Sequence, residues 1–140
     1  MSGLDLDRFV AAQASIYEQA LAELRAGQKR SHWMWFVFPQ LAGLGRSATA
    51  HYYAIASADE ARAYLAHPLL GPRLRDCAAA VLGHTDKSAE DIFGSIDAMK
   101  LKSSMTLFEA VADDPAPFAS VLDAFFGGAR DRATLDLLRG

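Results

Sequence analysis

Residues 31–58 constrain this chain more than any other part of it. These 28 residues carry one charge, Arg46, where the overall 22% of charged residues would place about six. Within them Trp33, Met34, Trp35, Phe36, Val37 and Phe38 follow one another without a polar residue. As a helix such a run is apolar all round, and as a strand it is apolar on both faces. Either geometry belongs in an interior. Four aromatic side chains of roughly 200 Å² each, at about 25 cal/mol per Å², are worth on the order of 20 kcal/mol gross when buried. The segment is therefore expected to form a central aromatic hairpin wrapped by the rest of the chain.

The wrapping elements read as helices. Ala occurs 27 times and Leu 17 times, against 13 for Val, Ile and Thr together. Ala and Leu lose little freedom in a helix, and the β-branched residues that suit strands are scarce. Phe9, Gln13, Ile16, Tyr17, Ala20, Leu21 and Leu24 mark one apolar stripe, capped by Asp5 or Asp7 and stopped by Gly27. Ser47 caps a helix carrying Tyr52, Tyr53 and Ile55. Ser57 and Glu60 form a capping box, and His67-Pro68 ends that helix. A helix through Leu74, Cys77, Ala78 and Val81 follows, then a turn opened by Ser88 and Asp91. Ser95 opens the helix from Ile96 to Val111, Pro115 or Pro117 the next, and Asp131 a last short one. We expect one all-α domain over residues 1–140, with about seven or eight short helices.

Composition excludes several function classes. A chain of 140 residues can bury a core without staples. Lys plus Arg is 14 and Asp plus Glu 17, a net charge of −3, so no nucleic-acid partner is expected. One cysteine rules out a disulfide scaffold and a thiolate zinc site. No stretch is long and apolar enough to span a bilayer, and the first residues lack a basic and then apolar leader. A cytoplasmic location is expected, with no membrane partner. The oligomeric state is not readable.

The decapeptide Ser31-His32-Trp33-Met34-Trp35-Phe36-Val37-Phe38-Pro39-Gln40 resembles a family of uncharacterised, mostly bacterial helical domains, often labelled calpastatin-like. Further stretches are similar: Arg8-Phe9 with Ala12-Gln13, Gly43-Leu44-Gly45, Tyr64-Leu65 with His67-Pro68 and Leu70-Gly71, Asp97 with Lys100-Leu101, residues 103–108, and Asp131 with Thr134. The likeness spans nearly the whole chain. It implies an all-α fold and carries no activity.

The polar residues around the tryptophans are the candidate site. His32 is the side chain suited to acid or base work near neutral pH; alternatively, its nitrogens bond neighbouring carbonyls and pin the aromatic run. Trp33 and Trp35 each need an acceptor for their indole N–H if buried, and Gln13 and Gln40 are the nearest by type. Such amides are either structural or the wall of a cavity for a planar polar ligand. Gly43-Leu44-Gly45-Arg46-Ser47-Ala48 matches a loose dinucleotide-binding glycine pattern, but no second strand follows to complete a βαβ unit. What remains is a glycine turn before a helix start, with Arg46 and Ser47 beside it, suited to an anion. Lys100, Lys102, Ser103 and Ser104 form a second cluster, read either as polar pocket wall or as solvated lysines with small residues at a helix crossing. Asp97 and Lys100 are an i, i+3 pair. Cys77 reads as a buried inert thiol. The four histidines fall 19, 16 and 17 residues apart, without close ligand pairs, so no metal and no cofactor are expected.

These features suggest a pocket for a small anionic, nucleotide-like or phosphate-bearing metabolite, walled by Gln13, Trp33, Trp35, Gln40, Arg46, Ser47, Lys100, Lys102, Ser103 and Ser104, with His32 exchanging a proton. The alternative is a non-catalytic interaction or structural module without a ligand site.

Overall fold

The structure, a computed structural model, describes residues 6–140, and its regular elements there are all helices. They are α1 (Asp7–Gln13), α2 (Tyr17–Ala26), α3 (Met34–Val37), α4 (Ala48–Tyr52), α5 (Ala58–Ala66), α6 (Leu70–Leu82), α7 (Ala89–Phe93), α8 (Ser95–Val111), α9 (Ala116–Phe125) and α10 (Arg132–Arg139). Ten helices among the described residues exceed the seven or eight expected because the first stripe is divided and the aromatic run is itself a short helix. Outside them, one parallel bridge pairs Leu41 with Ile55. Ile55 therefore lies beyond α4, not on it.

The first apolar stripe breaks at residues 14–16. Its parts serve two partners: α1 packs on α3, whereas α2 packs on α6. Asp7 is the first helical residue and Leu6 occupies the cap position without a side-chain bond, so Asp7 is not the cap; Asp5 lies outside the described residues. Gly27 ends α2 as expected, at φ 76°. Ser47, Ser57, Ser88 and Asp131 cap as read. The reciprocal capping box belongs to Ser88 and Asp91. At α5 only half of it forms: Ser57 Oγ accepts the Glu60 amide, but the Glu60 carboxylate accepts from the Ala56 amide and Arg8. Gly94, not Ser95, precedes α8 as its cap residue. His67 does more than end a helix, since its Nδ1 accepts the amides of Leu69 and Leu70 at 3.1 and 3.2 Å and so caps α6.

The centre of the molecule is α8, which packs against α5, α7, α9 and α10. Six successive residues, from Ser103 to Phe108, are buried, as a helix surrounded on all sides requires. The aromatic run expected at the centre therefore shares the core with α8. In that run Trp33, Met34, Val37 and Phe38 are buried, while Trp35 and Phe36 on α3 are only half-buried. The run forms one wall of the core with an outer aromatic face.

Hydroxyls on α8 dock the C-terminal helix. Ser103 Oγ donates to an Asp131 carboxylate oxygen at 3.0 Å, and the Asp131 amide donates to Thr106 Oγ1 at 2.9 Å. Arg130 forks onto both carboxylate oxygens of Glu109 and reaches Asp123 at 3.1 Å.

At the crossing of α5 and α6 a Cβ on Gly71 would lie 2.1 Å from the Leu65 carbonyl oxygen. Glycine there permits the close backbone approach. Alanine ordinarily favours a helix by up to about 1 kcal/mol over glycine. Here Gly71→Ala is expected to reverse that sign and destabilise by about 1–3 kcal/mol through overpacking, read from urea unfolding midpoints.

Candidate functional site

The site grows from a buried carboxylate that the sequence did not reveal. Glu23 sits on α2, next to the buried stripe, and is 8% exposed. Its Oε1 accepts the backbone amides of Arg30 and Ser31 at 2.7 and 3.0 Å and the Trp33 indole N–H at 2.9 Å. Its Oε2 accepts the Ser31 hydroxyl at 2.7 Å and the Gln19 amide at 3.1 Å. The acceptor for Trp33 is thus Glu23, not Gln13 or Gln40. Burial pulls the carboxyl upward, but these bonds outweigh it and hold its pKa at about 2. Residues 30–33 are folded around this anion, which fixes where His32 and α3 emerge.

A second electrostatic tie joins the same loop to α8. Lys29 is nearly buried, donates to Asp97 at 2.9 Å and lies 5.0 Å from the Trp33 ring centroid. Asp97 also holds Lys100 at 3.3 Å, and the Lys100 ammonium stands 4.5 Å from the Trp35 ring centroid. The i, i+3 pair read from the sequence is real, but a buried third partner makes it a bridge between elements.

Between α3 and α4 lies an open trough of about 580 Å³. His32, Trp35, Phe36, Thr49, Tyr52 and Tyr53 line it. Tyr53 contacts Phe36 at 5.3 Å and Tyr52 at 4.8 Å between ring centroids, giving a continuous aromatic wall. Burial raises the Tyr53 phenol above its ordinary pKa, so that ring stays uncharged at neutral pH. A narrow void of about 10 Å³ adjoins it through Trp35 and Tyr53 and is lined by Gln40, room for about one water. Arg8, unnoticed as a site residue, secures the far wall by donating to the Tyr52 and Ala54 carbonyls, each at 2.8 Å. His32 is exposed at the trough and makes no hydrogen bond or ion pair among the described residues, so it does not pin the run.

The remaining sequence-derived residues are placed elsewhere. Gln13 is buried and fully engaged: its Nε2 donates to the Phe36 carbonyl at 2.6 Å and the Tyr64 hydroxyl at 3.2 Å, and its Oε1 accepts from Arg73 at 3.3 Å. It holds α3 from inside. Arg46 and Ser47 are exposed on the turn before α4, with Ser47 Oγ occupied by the Ala50 amide. Lys102, Ser103 and Ser104 do not line the trough. Ser103 serves α10, and Ser104 Oγ is buried without a partner among the described residues. Cys77 is buried, and burial pushes its thiol up to about 12, which keeps it inert at neutral pH. Among the described residues no group of three or more His, Cys, Asp or Glu is placed to hold a metal, and no helix is long and apolar enough to cross a membrane.

Comparison with known proteins agrees with this architecture. The model of a family described as a protein of unknown function, DUF1810, matches residues 3–138. The chain belongs to that family. It is similar to a solved structure, the conserved hypothetical protein Rv1873 from Mycobacterium tuberculosis, with 52% identity, 98% of each chain covered and a TM-score of 0.96. No curated protein matches.

The Glu23 network predicts a pH dependence. Its folded pKa lies below the ordinary value of 4.5, so its stabilisation is present above that value and is lost as pH falls toward about 2. The difference corresponds to about 3 kcal/mol. Urea unfolding of the native chain is expected to weaken by that order between pH 6 and pH 2 relative to Glu23→Gln, whose profile lacks this component. At neutral pH Glu23→Gln is expected to be the less stable, because its amide N–H group opposes the donors that face it.

Proposed function

We propose that this domain binds a small, planar, anionic metabolite of the nucleotide class in the trough between α3 and α4. One observation carries the reading: an imidazole without a partner among the described residues and four aromatic rings, those of Trp35, Phe36, Tyr52 and Tyr53, gather on one open concavity. Aromatic walls suit a flat heterocycle, and base stacking on such rings contributes about 1–3 kcal/mol. His32 supplies a hydrogen bond or a proton to the anionic group, and the Lys100 ammonium on the Trp35 ring adds positive field. Gln40 is the polar group at the adjoining void. Gln13 and Trp33 act on the ligand through α3, which they hold in place. Among the described residues no acidic or carbonyl partner orients the imidazole, which favours binding over turnover.

Trp35 fluorescence and thermal shift, measured against nucleotides, ADP-ribose and sugar phosphates, test this reading. A ligand at 100 times its dissociation constant is expected to add about 2.7 kcal/mol. His32→Ala is expected to weaken binding about tenfold while changing stability by less than about 0.5 kcal/mol, since the imidazole has no partner to orphan. No response across the panel overturns it.

A second reading rests on Ile96 and Met99, each 72% exposed and one turn apart on α8. They would serve a protein-docking module, for which light scattering would show self-association and the panel no response.

A further inference from the structure

A second concavity, of about 300 Å³, lies where α5, α6 and the end of α8 meet, and shares no residue with the trough. Two arginines, Arg62 and Arg75, line it. Arg75 uses one N–H on the Asp114 carbonyl at 3.0 Å, with its guanidinium carbon 5.1 Å from the Phe118 ring centroid. That leaves four of its five donors without a described acceptor. Among the described residues Arg62 pairs only with Asp59, at 3.0 Å, and both partners are well exposed, so the pair is worth little. The third charge on the wall is Asp113. Its neighbour Asp114 uses Oδ1 to accept the Ala116 amide at 3.2 Å, whereas the Asp113 carboxylate has no hydrogen bond or ion pair among the described residues. Between these charges the lining is apolar, supplied by Leu65, Val111 and Ala112.

The charge pattern selects an occupant. A simple anion would satisfy the arginines but meet the Asp113 carboxylate, and a simple amine would satisfy Asp113 but meet two cations. A molecule with both signs satisfies all three groups, and guanidinium groups are suited to forked bonds with a carboxylate. The volume is at the lower limit of small-molecule sites, which suits a molecule smaller than a nucleotide. We propose that this cavity binds a small zwitterion of the free amino-acid class, its carboxylate on Arg62 and Arg75, its ammonium on Asp113, and an apolar side chain against Leu65 and Val111. The proposal stands whether or not the trough binds a nucleotide.

Nuclear magnetic resonance titration of the full chain with leucine, 4-methylpentanoate, 3-methylbutylamine and inorganic phosphate tests it. Leucine is expected to give saturable shifts in the amides of residues 111–113 and in the Nε–H groups of Arg62 and Arg75. Each analogue that lacks one charged group is expected to bind about tenfold more weakly or worse. Asp113→Asn is expected to erase the preference for leucine over 4-methylpentanoate, and Arg62→Gln to weaken both. Both positions are exposed, so unchanged melting temperatures confirm that the variants are folded. The proposal is overturned if leucine fails to saturate by about 10 mM. It is equally overturned if leucine and 4-methylpentanoate bind alike, or if phosphate moves the same resonances more strongly than leucine.

Discussion

A carboxylate removed from water normally needs a cation, yet Glu23 is held by five neutral donors and no ion pair among the described residues. Hydrogen bonds to an ionised acceptor are stronger than neutral ones, and a carboxylate with several such bonds remains charged inside a protein. The geometry follows from the count. Two of the donors are consecutive backbone amides, so the chain at Arg30 and Ser31 must curl around the oxygen, and the indole of Trp33 must turn inward to share it. With Trp33 committed to the interior, the following turn of α3 presents Trp35 and Phe36 outward. The aromatic trough is a consequence of where a single acid sits on α2.

The trough's other supports are also buried polar groups. Gln13 fixes α3 through the Phe36 carbonyl, and Arg8 fixes the α4 end through the Tyr52 and Ala54 carbonyls while bonding the buried Glu60. Both come from α1, so one short helix sets the separation of the two walls. Groups whose own partners are satisfied hold a site more rigidly than loops do.

Much of the fold was legible in the sequence because local chemistry decides it. The Ser47, Ser57, Ser88 and Asp131 caps and the Gly27 stop depend on neighbours within a few residues. The division of α1 from α2 was not legible, because the stripe from Phe9 to Leu24 satisfies one helical period although its halves pack on different partners. Nor was the central role of α8, whose buried serines and threonine read as polar by type. The site was half legible. His32, Trp35 and Gln40 stood out as polar or amphipathic residues in an apolar run, and the trough or its adjoining void contains them. Glu23 and Arg8 did not, because a charged residue on a helix is ordinarily solvated; the donors around Glu23 come from 4 to 10 residues away and the acceptors of Arg8 from 44 to 52 residues away, and neither set follows from helical spacing.

Docking of α10 relies on hydroxyl and carboxylate bonds more than on apolar burial, Thr134 being its one buried residue. Such an attachment belongs to the low-stability end of a native structure, where segments open without global unfolding. Leu137 on that helix lies against Gly43, in the turn that leads to α4. The last helix therefore also packs on the turn that leads into one wall of the trough.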